Sequence, residues 1–183
     1  MKVSFTNVSP NLTVEVDPAT VPAGETAALR FSVKAAPDVW GKHVYSAMPV
    51  INGVKAAKPI TVTALTRGNF ASSTPEQRKN AAQCIFDEST VSFGTATAGT
   101  KVKASFTFTN KGKSALQFYS LDADADGLTA TLPGETAAQG KGTIPVTLDT
   151  SVLPKGETVV MLTVTTNCPA RPLINLFLVG LVK

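Results

Sequence analysis

Leu128-Thr129-Ala130-Thr131-Leu132, with Leu116-Gln117-Phe118 before it and Gly140 after it, is a second copy of Leu12-Thr13-Val14-Glu15-Val16, which stands between Val3-Ser4-Phe5 and Gly24. The alternation Leu29, Phe31, Val33 then returns as Ile144, Val146, Leu148. Apolar residues at every second position mark half-buried strands, and their return at matched intervals marks two copies of one all-β unit in tandem. The repeated residues build sheets and carry no reactive groups, so the repeat predicts an architecture and leaves activity open.

Working outward, alternating segments bounded by Gly, Pro, Asn and Asp fall at 3–8, 12–17, 26–34, 43–51 and 59–66, with Asn52-Gly53 as a two-residue hairpin turn. A second set falls at 89–94, 101–109, 115–121, 128–132, 142–149, 157–165 and 172–181. Seven strands in about 100 residues suit an immunoglobulin-like sandwich. The spacing predicts a module over residues 1–70, a linker over 71–83 and a complete seven-stranded module over 84–183. In the linker, Thr74-Pro75-Glu76-Gln77 reads as a capping box with Pro at the first helical position, so a short helical spacer is expected. Two strands precede Leu116 in the second copy, whereas only Met1 and Lys2 precede the matching Val3. The first module is therefore expected to lack its first two strands, to be supplied by sequence upstream or by strand exchange with a second copy.

Composition narrows the function classes. The net charge of +4 divides into seven Lys/Arg against four Asp/Glu in residues 1–70, two against one in 71–83 and eight against eight in 84–183. The basic residues read as scattered, without interleaved aromatics, so no nucleic-acid partner is expected. No apolar run reaches the ~18 residues of a membrane helix. The amino terminus enters a strand pattern without an apolar signal core, so any export signal is expected to be removed or to lie upstream.

Ile85-Phe86-Asp87, Val91-Ser92-Phe93-Gly94-Thr95, Gly99, Phe106-Thr107-Phe108-Thr109-Asn110, Gly112, Leu116 and Leu178-Val179-Gly180 together resemble the bacterial domain-of-unknown-function family 1573. Its repeats are similar to immunoglobulin-like domains of the sperm-protein and cilium-associated (ASH/MSP) type. The first module and linker also resemble multi-repeat members, through 18–25, Trp40-Gly41, Phe70 and Thr74-Pro75-Glu76-Gln77. The resemblance implies an exported protein, periplasmic or at the cell surface, with no known catalysis. Many members carry Cys-Gly-Cys where this chain has Leu121-Asp122-Ala123-Asp124-Ala125-Asp126-Gly127, so no role of that cysteine pair transfers here.

Four side-chain groups remain as site candidates. Asp122, Asp124 and Asp126 followed by Gly127 resemble half of a calcium loop, but the position that needs a bidentate Glu is Pro133; the alternative is a solvated acidic loop. Cys84 and Cys168 precede the first and last strands of the second module, which pair in many immunoglobulin-like sandwiches. They are a disulfide candidate closing a loop of about 85 residues, worth on the order of 4 kcal/mol, with two unpaired thiols as the simpler alternative. Trp40 is the sole Trp, suited to stacking on a sugar or anchoring a protein, or to plugging the sandwich end. In the last strand Leu173, Phe177, Val179 and Leu181 alternate with Ile174, Leu176, Leu178 and Val182, so one apolar set needs cover outside the core.

A single His and no nucleophile elbow leave no catalytic set, and no phosphate loop or cofactor motif is present. The expectation is a non-enzymatic protein–protein interaction or scaffold module of the bacterial envelope, with a glycan-binding module using Trp40 as the alternative.

Overall fold

The chain's β-branched and aromatic alternation produces strands almost throughout, and the computed structural model, which describes residues 1–183, divides them into two units, Met1–Thr66 and Arg67–Lys183. The first holds β1 (Val3–Thr6), β2 (Leu12–Asp17), β3 (Ala28–Val33), β4 (Gly41–Ile51), β5 (Val54–Lys55) and β6 (Ile60–Thr66). The long β4 pairs antiparallel with β1, β5 and β6, while β2 and β3 form a separate ribbon. Asn52 and Gly53 both take positive φ, 50° and 85°, the backbone of the primed turn expected between β4 and β5. Few apolar side chains here are fully enclosed: Leu12, Val21 and Ala47.

The second unit opens with α1 (Pro75–Asn80) and continues through β7 (Cys84–Phe86), β8 (Thr90–Ala96), β9 (Lys101–Asn110), β10 (Phe118–Ala123), β11 (Leu128–Ala130), β12 (Lys141–Asp149), β13 (Gly156–Thr166) and β14 (Leu173–Val182). Two four-stranded sheets result, ordered β10-β13-β14-β8 and β11-β12-β9-β7. Their inner faces meet in one core containing Phe106, Phe108, Leu116, Ile144, Leu148, Leu162 and Leu176. Phe108 stands edge-on to Phe118 at 4.8 Å and tilted to Phe86 at 5.7 Å, the arrangements favoured by ring quadrupoles. The Phe93 ring lies on Gly180, where any Cβ would collide with it, so a residue without a side chain is required near the end of β14.

Three sequence expectations change. The second module has eight strand segments where seven are read from the sequence, because its first strand divides: β7 pairs antiparallel with β9, and β8 crosses to run parallel with β14. Residues 115–117 lie before β10, which runs on instead to Ala123. The linker is part of the second unit. Thr74 Oγ1 accepts from the Gln77 N–H at 3.2 Å and the Thr74 N–H donates to Gln77 Oε1 at 2.8 Å, forming the expected capping box. After the helix, however, Ala82 enters the core, and the Ala81 and Gln83 carbonyls accept from the Lys113 and Lys111 N–H groups at 3.2 and 2.8 Å.

The two copies share one register. Leu12 faces Val33 and Val14 faces Phe31 across β2–β3; Leu128 faces Leu148 and Ala130 faces Val146 across β11–β12. Likewise Ala47 faces Ile60 and Tyr45 faces Val62 across β4–β6, as Val164 faces Ile174 and Leu162 faces Leu176 across β13–β14. Strands β1–β4 and β6 are thus the counterparts of β10–β14. The first unit has no counterpart of β8 or β9, as expected from the strand count.

Candidate functional site

The two-sided apolar pattern of β14 resolves by pleat. Ile174, Leu176, Leu178 and Val182 are buried, which turns Phe177, Val179 and Leu181 to the outer face. There Phe177 stands opposite Met161 and Val179 opposite Val159. Val159 is 65% exposed, and Met161, Phe177, Val179 and Leu181 are half-buried beside it. Thr90 and Ser92 of β8 and Glu157 of β13 border this strip. Leu173, at the start of β14 opposite Thr165, is half-buried and lies beyond it. Val159 and Met161 extend the patch past the residues anticipated in β14; the 157–165 alternation held that signal.

The cysteines are brought together, but as free thiols. Both are buried, and the Cys84 N–H donates to Cys168 Sγ at 3.2 Å. Cys84 thus presents its amide to the sulfur, and of the two alternatives, a disulfide or two unpaired thiols, the structure has the unpaired thiols. Burial, then the neighbouring Cys168, pushes the Cys84 thiol up to about 12 against a lowering by Arg171, and burial also raises Cys168. Such thiols stay protonated at neutral pH and are poor nucleophiles.

Asp122 and Asp124 of the half calcium loop are held by separate partners. Asp122 lies within β10, where its Oδ2 accepts from the Ser120 hydroxyl at 3.2 Å. Asp124 bonds to β13 instead, its Oδ1 accepting from the Met161 N–H at 2.8 Å. Asp126 lies in the turn before β11, and Asp122, Asp124 and Asp126 form no cluster able to hold a metal ion. Trp40 is half-buried before β4; the Trp40 carbonyl lies 3.0 Å from His43 Nε2, and since a carbonyl only accepts, that nitrogen carries the proton.

One cluster was not read from the sequence. Arg78, Lys79, Lys111 and Lys113 line a cleft of about 310 Å³ with Ala81–Gln83 and Pro169, and no carboxylate borders it. The Arg78 guanidinium is held by donating to the Phe70 and Ser73 carbonyls at 3.1 and 3.3 Å. The two basic pairs look scattered because they meet only when residues 81–83 dock beside 111–113. The cleft has the electrostatics of an anion site but shows no convergent donor set.

The sequence pattern of the family described as "Protein of unknown function (DUF1573)" matches residues 84–181. Among curated proteins no match is found. A crystal structure of a protein of unknown function from Porphyromonas gingivalis is similar over 98% of this chain and 84% of its own, with TM-score 0.75 and 16% identity. The ASH/PapD-like domain 7 of human CEP192 matches over 66% of this chain and 97% of its own, with TM-score 0.47 and 10% identity. An MSP family member of C. elegans matches over 56% and 100%, with TM-score 0.37 and 14% identity. These likenesses concern the fold.

Proposed function

Since this chain belongs to the DUF1573 family, whose description assigns no activity, we propose from its own geometry that it is a non-enzymatic protein–protein interaction or scaffold module of the bacterial envelope. The observation that carries the reading is the outer strip Val159, Met161, Phe177, Val179 and Leu181. The opposite face of the same sheet already closes a full core, so folding does not need these side chains outside. Contiguous apolar area on a solvent face is unfavourable unless something covers it, and a flat strip rimmed by Thr, Ser and Glu suits a protein surface. The periplasmic or cell-surface location rests on the family resemblance.

The test is capture of partners from envelope extract by immobilised wild type and Val159→Glu. Val159 is mostly exposed, so the variant keeps its fold, checked by circular dichroism. A partner retained by wild type and lost in the variant supports the reading. Equal capture by both overturns it, as does glycan-array binding that disappears in Trp40→Ala.

A further inference from the structure

We propose that the first unit is a strand acceptor: the open edge of β3 binds an extended segment of a second protein, antiparallel, with apolar side chains opposite Leu29, Phe31 and Val33. The second unit supplies the template. There the counterpart strand β12 has β11 on one side and β9 on the other, with Phe106 opposite Ile144, Ala104 opposite Val146 and Val102 opposite Leu148. Covered in this way, Ile144, Val146 and Leu148 are 0%, 2% and 0% exposed.

In the first unit β3 pairs with β2 and with no other strand. Leu29 is 42% and Phe31 36% exposed, although the shared register puts both on the face that is core in the other copy. The backbone has the same vacancy. The Lys34 N–H donates to the Asn11 carbonyl at 2.9 Å, in register with β2–β3, which fixes the alternation of the ladder. By that alternation Ser32 and Arg30 bond to β2, and the amides and carbonyls of Leu29, Phe31 and Val33 point to the open edge. The apolar side chains and the unpaired backbone groups therefore belong to the same three residues, as they do in β12, where Thr131 N–H bonds the Pro145 carbonyl and leaves Ile144, Val146 and Leu148 to β9.

These features specify the ligand. Edge pairing demands an extended peptide, and the row of Leu29, Phe31 and Val33 demands apolar side chains at every second position, as in Val102-Lys103-Ala104-Ser105-Phe106. Glu15 stands opposite Arg30 on the other face, so charge contributes little and the apolar alternation selects. The edge carries no Pro and no bulge, two of the devices that block pairing, and its one charge, Arg30, lies on the face away from Leu29, Phe31 and Val33. A second copy of this chain is a poor donor, because its matching strand is β9, whose Phe106 and Phe108 are fully buried and whose release would open the larger core. This site is separate from the β13–β14 strip, and each stands without the other.

The probe is a fluorescein-labelled peptide of residues 101–110, titrated into the full chain by anisotropy. Saturable binding is expected, weakened at least tenfold when the peptide is N-methylated at the positions of Val102, Ala104 and Phe106, a change that leaves the protein untouched. The Leu29→Ser/Phe31→Ser double variant should lose binding to the same degree. Hydrogen exchange of the Leu29, Phe31 and Val33 amides should be fast in the free chain and slow with peptide. No binding, binding indifferent to N-methylation or to the double variant, or a chain that is dimeric with those amides already protected overturns the proposal, the last in favour of a second copy as occupant.

Discussion

Oxidation of Cys84 and Cys168 should raise the stability of the second unit by several kcal/mol. The sulfur of Cys168 already lies 3.2 Å from the Cys84 amide, so the two residues are neighbours in the core. Two thiols lose two electrons and two protons to an oxidant such as diamide, which is reduced to the hydrazine as the S–S bond forms. The residues are 84 positions apart, and closing a loop of that size removes about 4.5 kcal/mol of unfolded-chain entropy. A unit of roughly 120 residues has an unfolding entropy of about 0.25 kcal/mol/K, so the full effect corresponds to about 15–18 °C in Tm, less whatever strain the bond introduces. Because burial holds the Cys84 thiol near 12, attack is slow at neutral pH and the reaction should accelerate with alkalinity. Scanning calorimetry of diamide-treated and phosphine-reduced chain, with Cys84→Ser as control and mass spectrometry to count the two lost hydrogens, reads the shift. An oxidised chain whose Tm equals or falls below that of the reduced one refutes the chain-entropy argument, and a native chain that resists oxidation refutes the geometry.

Asn110→Asp should destabilise the second unit by about 3 kcal/mol or more, seen as a lower urea midpoint. Fully buried Asn110 accepts at Oδ1 from the Gln83 and Gly112 N–H groups and donates from Nδ2 to the Ser114, Thr136 and Ala137 carbonyls; Asp keeps the first pair and turns the second set into repulsion. In the reduced chain stability should fall as pH rises from about 9 to about 12. Between the unfolded value of 9.0 and the folded value of about 12 the native state keeps a proton on Cys84 that the unfolded chain releases, so ionisation favours unfolding. A urea midpoint as flat across that window as in Cys84→Ala would show that the thiol contributes nothing.

The legible parts of this fold are those where one residue decides one backbone feature. Asn52-Gly53 announces two positive φ angles, Thr74 and Gln77 announce a reciprocal cap, and the Leu12/Leu128 match predicts a register that both units share. Less legible is whatever depends on a partner strand. Cys84-Ile85-Phe86 is too short to show a period and becomes β7 only because β9 offers an edge. Asp122 looks like a loop ligand until the β13 ladder extends β10 over it. The four cations of the cleft belong to two chain segments whose approach is dictated by Gly112, where a Cβ would strike the backbone of residues 81–83. The Asn of the Phe-x-Phe-x-Asn element looks like a generic strand end, yet it ties together three turns.

Burial in this protein is a property of neighbours more than of residues. Leu29 and Phe31 are at least as apolar as Ile144 and Val146, occupy matching positions and face matching partners across the ribbon, yet remain about 40% exposed where their counterparts are dry. The difference lies one strand away, in the presence of β9. A count of apolar residues is therefore blind to it, and so is any window moved along β3 itself. The asymmetry becomes visible when the two copies are laid side by side and the strands before each are counted. That comparison also gives the exposed row a meaning that exposure alone lacks: a scattered surface Leu needs no explanation, whereas a row whose twin is a finished core, with its amides turned the same way, describes the strand that would complete it.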